Sequence, residues 1–213
     1  MICGIDEAGK GSVFGPMVIG GVSGSSLADF EEKGFMDSKK LTPSKREAMY
    51  DDIVSSFQAT SVVIEAHEID DYRMHLSMNI IVAKAHARAI DNLGPDTAYV
   101  DACDVNEKRY GACVHEYLKR PLTVISEHKA DDRYAVVGAA SIVAKVTRDR
   151  LIERLSEEYG DIGSGYPSDP KTIGYLRDYI EKSGECPVFC RKSWKTALNM
   201  KKNIQQKSIL EYY

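Results

Sequence analysis

The chain has 213 residues, of which 43% are hydrophobic and 28% charged, values typical of a globular protein with a substantial core. It shows neither a signal peptide nor a long apolar stretch, so we expect a cytoplasmic protein that needs no membrane. Five cysteines without zinc-type spacing predict free thiols rather than a disulfide framework. The net charge of −4 argues against nucleic-acid binding over the whole surface.

One stretch departs from this acidic balance. Residues 186–207 contain no acid and carry a charge of +6, which leaves −10 for the remainder. A local basic face suits a polyanionic partner, although a solvated surface helix has the same composition. The basic residues are Arg191, Lys192, Lys195, Lys201, Lys202 and Lys207.

The chain begins with a short apolar run over residues 2–5, which predicts a buried strand. Two adjacent acids, Asp6 and Glu7, follow this run and lead into a glycine-rich turn at residues 9–11. Adjacent carboxylates repel each other and are costly to desolvate unless a cation holds them. The pair therefore indicates a divalent-metal site. A solvated turn is the alternative, but the glycines allow the close backbone approach that a site needs.

Residues 4–11 also come close to the phosphate-binding pattern G-x-x-x-x-G-K-[ST]. That pattern requires a hydroxyl for Mg²⁺ after the lysine, and Gly11 stands there instead. The two acids within the loop would also repel phosphate groups. The sequence therefore disfavours a nucleoside triphosphatase.

The next elements alternate between strands and helices. We predict a strand over residues 17–22, a helix from Thr42 to about residue 57, a strand over residues 61–66 and a polar loop at residues 67–68. A helix over residues 78–93 and short strands over residues 97–100 and 122–126 follow. Thr42 can cap its helix, and Pro43 suits the first helical position.

Acids recur where predicted strands end. Asp101 follows the strand at residues 97–100, as Asp6 follows the first strand. Asp131 and its neighbour Asp132 come shortly after the strand at residues 122–126. Carboxylates presented from the ends of neighbouring strands can converge on one ion.

Two helices are predicted in the second half of the chain. Apolar residues recur at helical spacing from Gly138 onward, which predicts a long amphipathic helix. A glycine-rich loop at residues 163–169 then leads into a helix that begins at Pro170, with Ser168 or Asp169 as its cap.

Four separated blocks together resemble the signature of ribonuclease HII, the type 2 ribonucleases H, and of its archaeal branch in particular. They stand in the family's order, cover residues 2–180 and are hard to obtain together by chance. The blocks are D-E-A-G-K-G with F-G-P-M-V in residues 6–18, D-S-K at residues 37–39, H-K-A-D with A-A-S-I-V-A-K and R-D in residues 128–149, and G-S-G-Y-P-S-D-P at residues 163–170.

The resemblance implies a ribonuclease H-like α/β fold, in which helices flank a mixed five-stranded sheet and a small helical C-terminal portion follows. We accordingly expect a catalytic domain over residues 1–185, a basic helical segment over residues 186–205 and a clamp-binding tail over residues 206–213. We expect the protein to be a monomer.

The resemblance also implies an activity: hydrolysis of the RNA strand of RNA/DNA hybrids, and cleavage on the 5′ side of ribonucleotides embedded in duplex DNA. Two Mg²⁺ or Mn²⁺ ions would act together in this reaction. The implied catalytic and metal-binding residues are Asp6, Glu7, Asp101 and Asp131, with Asp132 left open as an alternative to its neighbour. The implied substrate-binding residues are Gly9, Lys10, Gly11, Ser38, Lys39 and Tyr166, the tyrosine reading the substrate sugar.

The chain departs from the family pattern at Lys10, where bacterial members usually have arginine, and at Ser12, where proline is common. Lysine cannot reproduce a bidentate guanidinium contact, so the preference for a lone ribonucleotide over a long hybrid stays open. The choice between Mg²⁺ and Mn²⁺ stays open as well. Two rivals are a different metal-dependent nuclease of similar sheet topology and a non-catalytic nucleic-acid-binding module, which would have no use for four acids.

The last eight residues fit the sliding-clamp (PCNA) binding pattern Q-x-x-[aliphatic]-x-x-[aromatic]-[aromatic]. Gln206, Ile209, Tyr212 and Tyr213 occupy its defined positions. One helical turn would group the three apolar side chains as a plug for a hydrophobic pocket, while the glutamine forms hydrogen bonds. A frayed tail is the alternative, because chain ends are usually poorly ordered.

Overall fold

A computed structural model of the chain describes residues 1–35 and 42–210. Within these residues, five strands form one sheet in the order β3-β2-β1-β4-β5. β1 is antiparallel to β2 and parallel to β4, and β4 is parallel to β5, so the sheet is mixed as predicted. The strands are β1 (Ile2–Ala8), β2 (Met17–Gly24), β3 (Gln58–Ile64), β4 (Thr97–Asp101) and β5 (Thr123–Glu127).

Several helices begin at a side chain that caps them. Thr42 accepts a hydrogen bond from the backbone of Lys45, and Asp169, rather than Ser168, caps the helix that begins at Pro170. The helices are α1 (Ala28–Glu31), α2 (Pro43–Ser56), α3 (Ala66–Arg73), α4 (Met78–Leu93), α5 (Glu107–Glu116), α6 (Ala130–Arg133), α7 (Ala135–Tyr159), α8 (Pro170–Ser183) and α9 (Lys195–Leu210). In the described part of the chain, no helix is long and apolar enough to cross a membrane.

One element contradicts the sequence analysis. Residues 67–68, predicted as a loop, lie within α3. The helix is polar, but its first turn is closed by Glu68, whose carboxylate accepts a hydrogen bond from the backbone N–H of Glu65 at 2.8 Å. This is part of a capping box, which stabilises a helix start independently of apolar periodicity.

The described residues divide into two compact units. The first comprises residues 1–8, 18–63 and 77–148, and the second comprises residues 9–17, 64–76 and 149–213. The cysteines, all of which lie in the described ranges, are free thiols as predicted.

In the first unit, α7 packs closely against the two central strands. A Cβ atom on Gly4 of β1 would lie 2.2 Å from the carbonyl oxygen of Val136, and one on Gly20 of β2 would lie 2.2 Å from that of Ala140. Only glycine allows the helix backbone to come this near the sheet. α4 covers the opposite face, where its Leu93 approaches Gly21. The acid-bearing strand β1 is thus held between two helices.

The second unit has its own apolar core. Phe14 is fully buried and meets the rings of Tyr175 and Phe189 edge-on, with ring centroids 6.0 and 5.2 Å apart. Ile162 and Leu176 are buried in the same cluster. This core anchors both the loop that follows β1 and the loop that precedes α8.

Candidate active site

Asp6 and Glu7 lie inside β1 rather than beyond its end, because the pairing with β2 continues to Ala8 opposite Val18. Side chains alternate along a strand, so the two acids leave β1 on opposite faces of the sheet. Asp6 shares its face with Gly4, which packs on α7, and is only 7% exposed. Glu7 points toward α4, and its side chain is 11% exposed.

Asp101 is the last residue of β4, as predicted, and lies near the end of the strand next to β1. Its Oδ1 accepts a hydrogen bond of 2.8 Å from the backbone N–H of Ala130, the first residue of α6. This short helix also carries Asp131, which is 4% exposed, and Asp132, which is exposed to solvent. The bond therefore ties the predicted third acid to the segment that carries the fourth.

A strained residue precedes this segment. Lys129 has a φ of 54° and is, among the described residues, the only one other than glycine with a positive φ. A side chain disfavours this left-handed conformation by roughly 1–2 kcal/mol. The turn brings the chain from β5 into α6, and such strain collects at functional sites.

The four predicted acids interact electrostatically. Burial raises the pKa of the Asp6 carboxyl well above its usual range, and the negative charges of Glu7, Asp101 and Asp131 raise it further. The Glu7 backbone N–H, which donates to Asp6 Oδ1 at 2.7 Å, opposes this shift only in part. Asp6 is thus the centre of a cluster of negative charge.

The donor set of this cluster suits a hard divalent cation, because it consists of carboxylate oxygens. In the conformation described, no group of three or more His, Cys, Asp or Glu side chains within residues 1–35 and 42–210 is arranged so that it could hold a metal ion. Burial and the repulsion from the neighbouring acids together raise the pKa of Asp6, and a bound cation would offset both.

A histidine that the sequence analysis did not single out lies against this cluster. His86, on α4, is fully buried, and its Nε2 lies 3.3 Å from Glu7 Oε2. Its Nδ1 is 3.0 Å from the hydroxyl of Tyr110, on α5. In the sequence, the only sign of such a role is that this histidine lies on the apolar face of a predicted helix, among alanine and isoleucine residues.

In the second unit, the glycine loop after β1 and the loop that carries Tyr166 are joined backbone to backbone. The N–H groups of Val13 and Phe14 donate to the carbonyl of Gly165, at 2.8 and 3.1 Å. These bonds therefore join the loop that contains the predicted substrate-binding residues Gly9 to Gly11 to the loop that contains Tyr166.

Ser12 closes the glycine turn. Its hydroxyl donates to the carbonyl of Gly9 at 2.9 Å, and its backbone N–H lies 3.3 Å from the same oxygen. Gly9 itself has a φ of 82°, a conformation that favours glycine. A proline at position 12 could form neither bond, so this departure from the family pattern has a defined structural use.

The predicted basic face needs a correction. Arg191 is fully buried and does not contribute to it. Its Nε donates to the carbonyl of Gly15 at 3.1 Å and one terminal nitrogen to that of Lys10 at 3.0 Å. Arg191 therefore braces the glycine loop from within. Lys192 is exposed, whereas Lys201 pairs with Glu185 at 2.5 Å.

The structure describes only some of the predicted contact residues. Ser38 and Lys39 lie outside the described residues, as do Tyr212 and Tyr213. Gln206 is exposed on α9, and the same helix includes Ile209.

Comparison with known proteins agrees with this architecture. The family model for ribonuclease HII matches residues 3–197. The chain is 52% identical to the ribonuclease HII of Methanoregula boonei over the full length of both. It superimposes with a TM-score of 0.89 on the ribonuclease H2 of Pyrococcus horikoshii, at 40% identity over 96% of this chain and 99% of that one.

A third relative was solved in a complex. The ribonuclease HII of Archaeoglobus fulgidus, determined together with PCNA, superimposes with a TM-score of 0.87 at 42% identity, over 94% of this chain and 96% of that one. Family model, curated relative and solved structures all agree with the four sequence motifs. The chain belongs to the ribonuclease HII family and is a hydrolase, an endonuclease that acts on RNA/DNA hybrids.

Proposed function

We propose that this enzyme hydrolyses the phosphodiester on the 5′ side of a ribonucleotide, both in RNA/DNA hybrids and at single ribonucleotides in duplex DNA, and so serves replication and repair. The observation that carries the proposal is Asp6, whose pKa is raised by burial and, further, by the charges of three other carboxylates. Such a concentration of buried negative charge is unfavourable unless it binds cations. The proposed ligands of two Mg²⁺ or Mn²⁺ ions are Asp6, Glu7, Asp101 and Asp131.

Backbone N–H groups hydrogen-bond two of the four acids. Asp6 accepts a hydrogen bond from the backbone N–H of Glu7, and Asp101 accepts one from that of Ala130, so the backbone orients both carboxylates. When bound, the two ions supply Lewis-acid activation of the attacking water and stabilise the leaving oxygen. Asp132 is exposed, which favours Asp131 as the fourth ligand.

Recognition of the ribose is proposed for the second unit. A 2′-hydroxyl distinguishes RNA from DNA at a given position, and backbone groups of a glycine turn can approach it closely. The turn at residues 9–11 is fixed by Ser12 and Arg191, and Tyr166 follows the Gly165 carbonyl that binds the same loop. The guanidinium of Arg191 donates to the backbone carbonyl of Lys10 and is proposed to keep this turn in place for the ribose.

The proposal is tested with three duplexes of one sequence: one with a single ribonucleotide, one with an RNA strand and one of DNA alone. We expect cleavage of the first two, with a 3′-hydroxyl on the upstream product, and none of the third. Cleavage of the hybrid without cleavage at the single ribonucleotide would refute the finer specificity. Cleavage on the 3′ side of the ribonucleotide would refute the proposed chemistry.

Tyr166→Phe tests the recognition step. We expect this substitution to reduce cleavage of the single-ribonucleotide duplex about tenfold, as expected when one hydrogen bond to a substrate hydroxyl is lost. Mn²⁺ affinity, measured by calorimetry, should stay unchanged. If Mn²⁺ affinity fell in parallel, Tyr166 would support the structure rather than read the sugar.

We further propose that residues 206–213 bind the sliding clamp of the same organism. The pattern formed by Gln206, Ile209, Tyr212 and Tyr213 supports this proposal, and the Archaeoglobus fulgidus relative was solved in complex with PCNA. Calorimetry on the full chain should give a dissociation constant of about 1 μM or tighter, against no measurable binding for a chain that ends at Gln205.

A point variant keeps the length of the segment constant. Tyr212→Ala should abolish clamp binding, whereas Glu211→Ala, at an undefined position of the pattern, should not change it. Cleavage of short duplexes should be the same in all of these proteins. Equal clamp affinity of Tyr212→Ala and the unmodified chain would refute the proposal.

A further inference from the structure

The buried face of α4 brings a ring nitrogen against an acid of the proposed metal site. His86 is 0% exposed, the Glu7 side chain is 11% exposed, and His86 Nε2 lies 3.3 Å from Glu7 Oε2. Neither atom has a hydrogen-bond partner among the described residues. Buried polar atoms are rarely left without partners, so two that face each other at this distance form a natural pair.

The other side of the imidazole decides which nitrogen carries the hydrogen. The Tyr110 hydroxyl lies 3.0 Å from His86 Nδ1, and burial raises the pKa of this phenol, so that it keeps its proton. When the phenol donates to Nδ1, the ring hydrogen is on Nε2, the nitrogen that lies 3.3 Å from Glu7 Oε2. The opposite arrangement would set the lone pair of Nε2 against a carboxylate oxygen, which is repulsive.

These three residues stand on separate, well-packed elements. Glu7 is on β1, His86 is on α4 and Tyr110 is on α5. Tyr110 is 1% exposed, and its ring meets that of His86 edge-on, with centroids 5.8 Å apart. The imidazole can therefore change its orientation little, and the position of its Nε2 is set by the fold.

We propose that His86 is a positioning residue, which holds one oxygen of Glu7 through Nε2 and thereby directs the other toward the metal ions. This inference rests on the metal site proposed above and adds a residue that lies outside the four acids. Groups that hydrogen-bond a metal ligand orient it, and their loss typically weakens metal affinity or activity about 10- to 100-fold.

The test measures Mn²⁺ binding to the full chain by calorimetry, without nucleic acid. His86→Leu fills the space with an apolar side chain and removes both ring nitrogens, whereas His86→Gln keeps a nitrogen donor near the position of Nε2. We expect His86→Leu to weaken Mn²⁺ binding about tenfold or more, and His86→Gln to restore most of it. kcat should follow Mn²⁺ affinity, while KM for the duplex stays within about twofold of the unmodified value.

Two controls separate positioning from folding. Ile90→Val alters the same helix one turn away at a fully buried position, so it should lower the melting temperature without changing Mn²⁺ affinity. In a Glu7→Gln background, His86→Leu should cause little further loss, because the oxygen that it orients no longer belongs to a carboxylate.

The outcomes are distinguishable. If the unmodified chain bound no Mn²⁺, the metal site itself would be refuted. If the unmodified chain bound Mn²⁺ and His86→Leu bound it equally well, only the role of His86 would be overturned. Equal losses in His86→Leu and His86→Gln, or additive losses with Glu7→Gln, would likewise assign His86 to the core alone.

Discussion

The acid cluster and the glycine loop depend on different parts of the chain. In the first unit, the proposed chemistry is carried by four side chains, and the backbone of β1, β4 and α6 serves to place them. In the second unit, the proposed recognition is carried by the Tyr166 side chain and by backbone groups that the side chains of Ser12 and Arg191 hold in place. A substitution should therefore abolish chemistry in the first unit but only loosen recognition in the second.

The largest effect is expected when one carboxylate is removed. Asp101→Asn keeps the oxygen that accepts from Ala130, so the fold should persist. It loses the charge that a divalent ion needs, and cleavage should fall on the order of a thousandfold, equivalent to several kcal/mol of transition-state stabilisation. Cleavage rates under single-turnover conditions provide the measurement.

Asp132→Asn is the matched control, because Asp132 is exposed and lies next to the proposed fourth ligand. Its activity should remain within about threefold of the unmodified enzyme, as expected for a surface substitution. Near-normal cleavage by Asp101→Asn, or a collapse in Asp132→Asn, would show that the acids are wrongly assigned.

The second prediction concerns stability and tests the close packing of α7 against β2 in the first unit. In Gly20→Ala, the added Cβ would lie 2.2 Å from the carbonyl oxygen of Ala140 and 2.6 Å from the nitrogen of Ala144, both backbone atoms of α7. The helix must move away from the sheet, and we expect a loss of about 3 kcal/mol in the free energy of unfolding.

Gly174→Ala provides the comparison in α8 of the second unit, where an added Cβ meets nothing within 4 Å. Alanine is the better helix former there, and stability should rise by about 0.5–1 kcal/mol. Urea denaturation of both variants measures the difference. A Gly20→Ala protein as stable as the unmodified one would show that α7 does not pin the central strands.

The parts of the fold that were predictable have local signals. The helix over Met78–Leu93 was found within a residue, because apolar periodicity, a preceding serine and a following glycine agree there. α3 was missed, because its sequence is polar and its only start signal is the pair Glu65 and Glu68. A capping box is short and easily overlooked beside a stretch without apolar periodicity.

The proposed site residues also differ in whether the local sequence reveals them. Asp6 and Asp101 could be proposed as site residues because each follows a predicted strand. The roles proposed for His86 and Arg191 could not, because Glu7 lies 79 residues from His86, and the carbonyls of Gly15 and Lys10 lie 176 and 181 residues from Arg191. Contacts over such separations depend on tertiary packing. A histidine among alanines and an arginine in a basic stretch have ordinary surroundings, so only the fold shows what they contact.

The third effect tests the brace of the glycine loop. Arg191→Met keeps the apolar stem but removes the donors to Lys10 and Gly15. We expect cleavage of a single-ribonucleotide duplex to fall about tenfold, in line with the loss of charge-assisted hydrogen bonds, while Mn²⁺ affinity stays unchanged. Lys182→Met, at an exposed position of α8 outside the basic face, should alter neither quantity. A parallel loss of Mn²⁺ affinity in Arg191→Met would contradict the separation of the two functions.

The smallest change in stability is expected at Lys129. The backbone conformation of this residue leads the chain into α6, which carries Asp131. The residue has a φ of 54° immediately before α6, and its side chain is exposed. Glycine removes the cost of roughly 1–2 kcal/mol of the left-handed conformation, but the unfolded chain gains entropy that offsets about half of it. Lys129→Gly should therefore be about 0.5 kcal/mol more stable than Lys129→Ala, which keeps the strain. Thermal unfolding of the two variants measures this difference, and cleavage rates should be equal. If the alanine variant were the more stable one, the left-handed turn that leads to Asp131 would not be a feature of the folded protein.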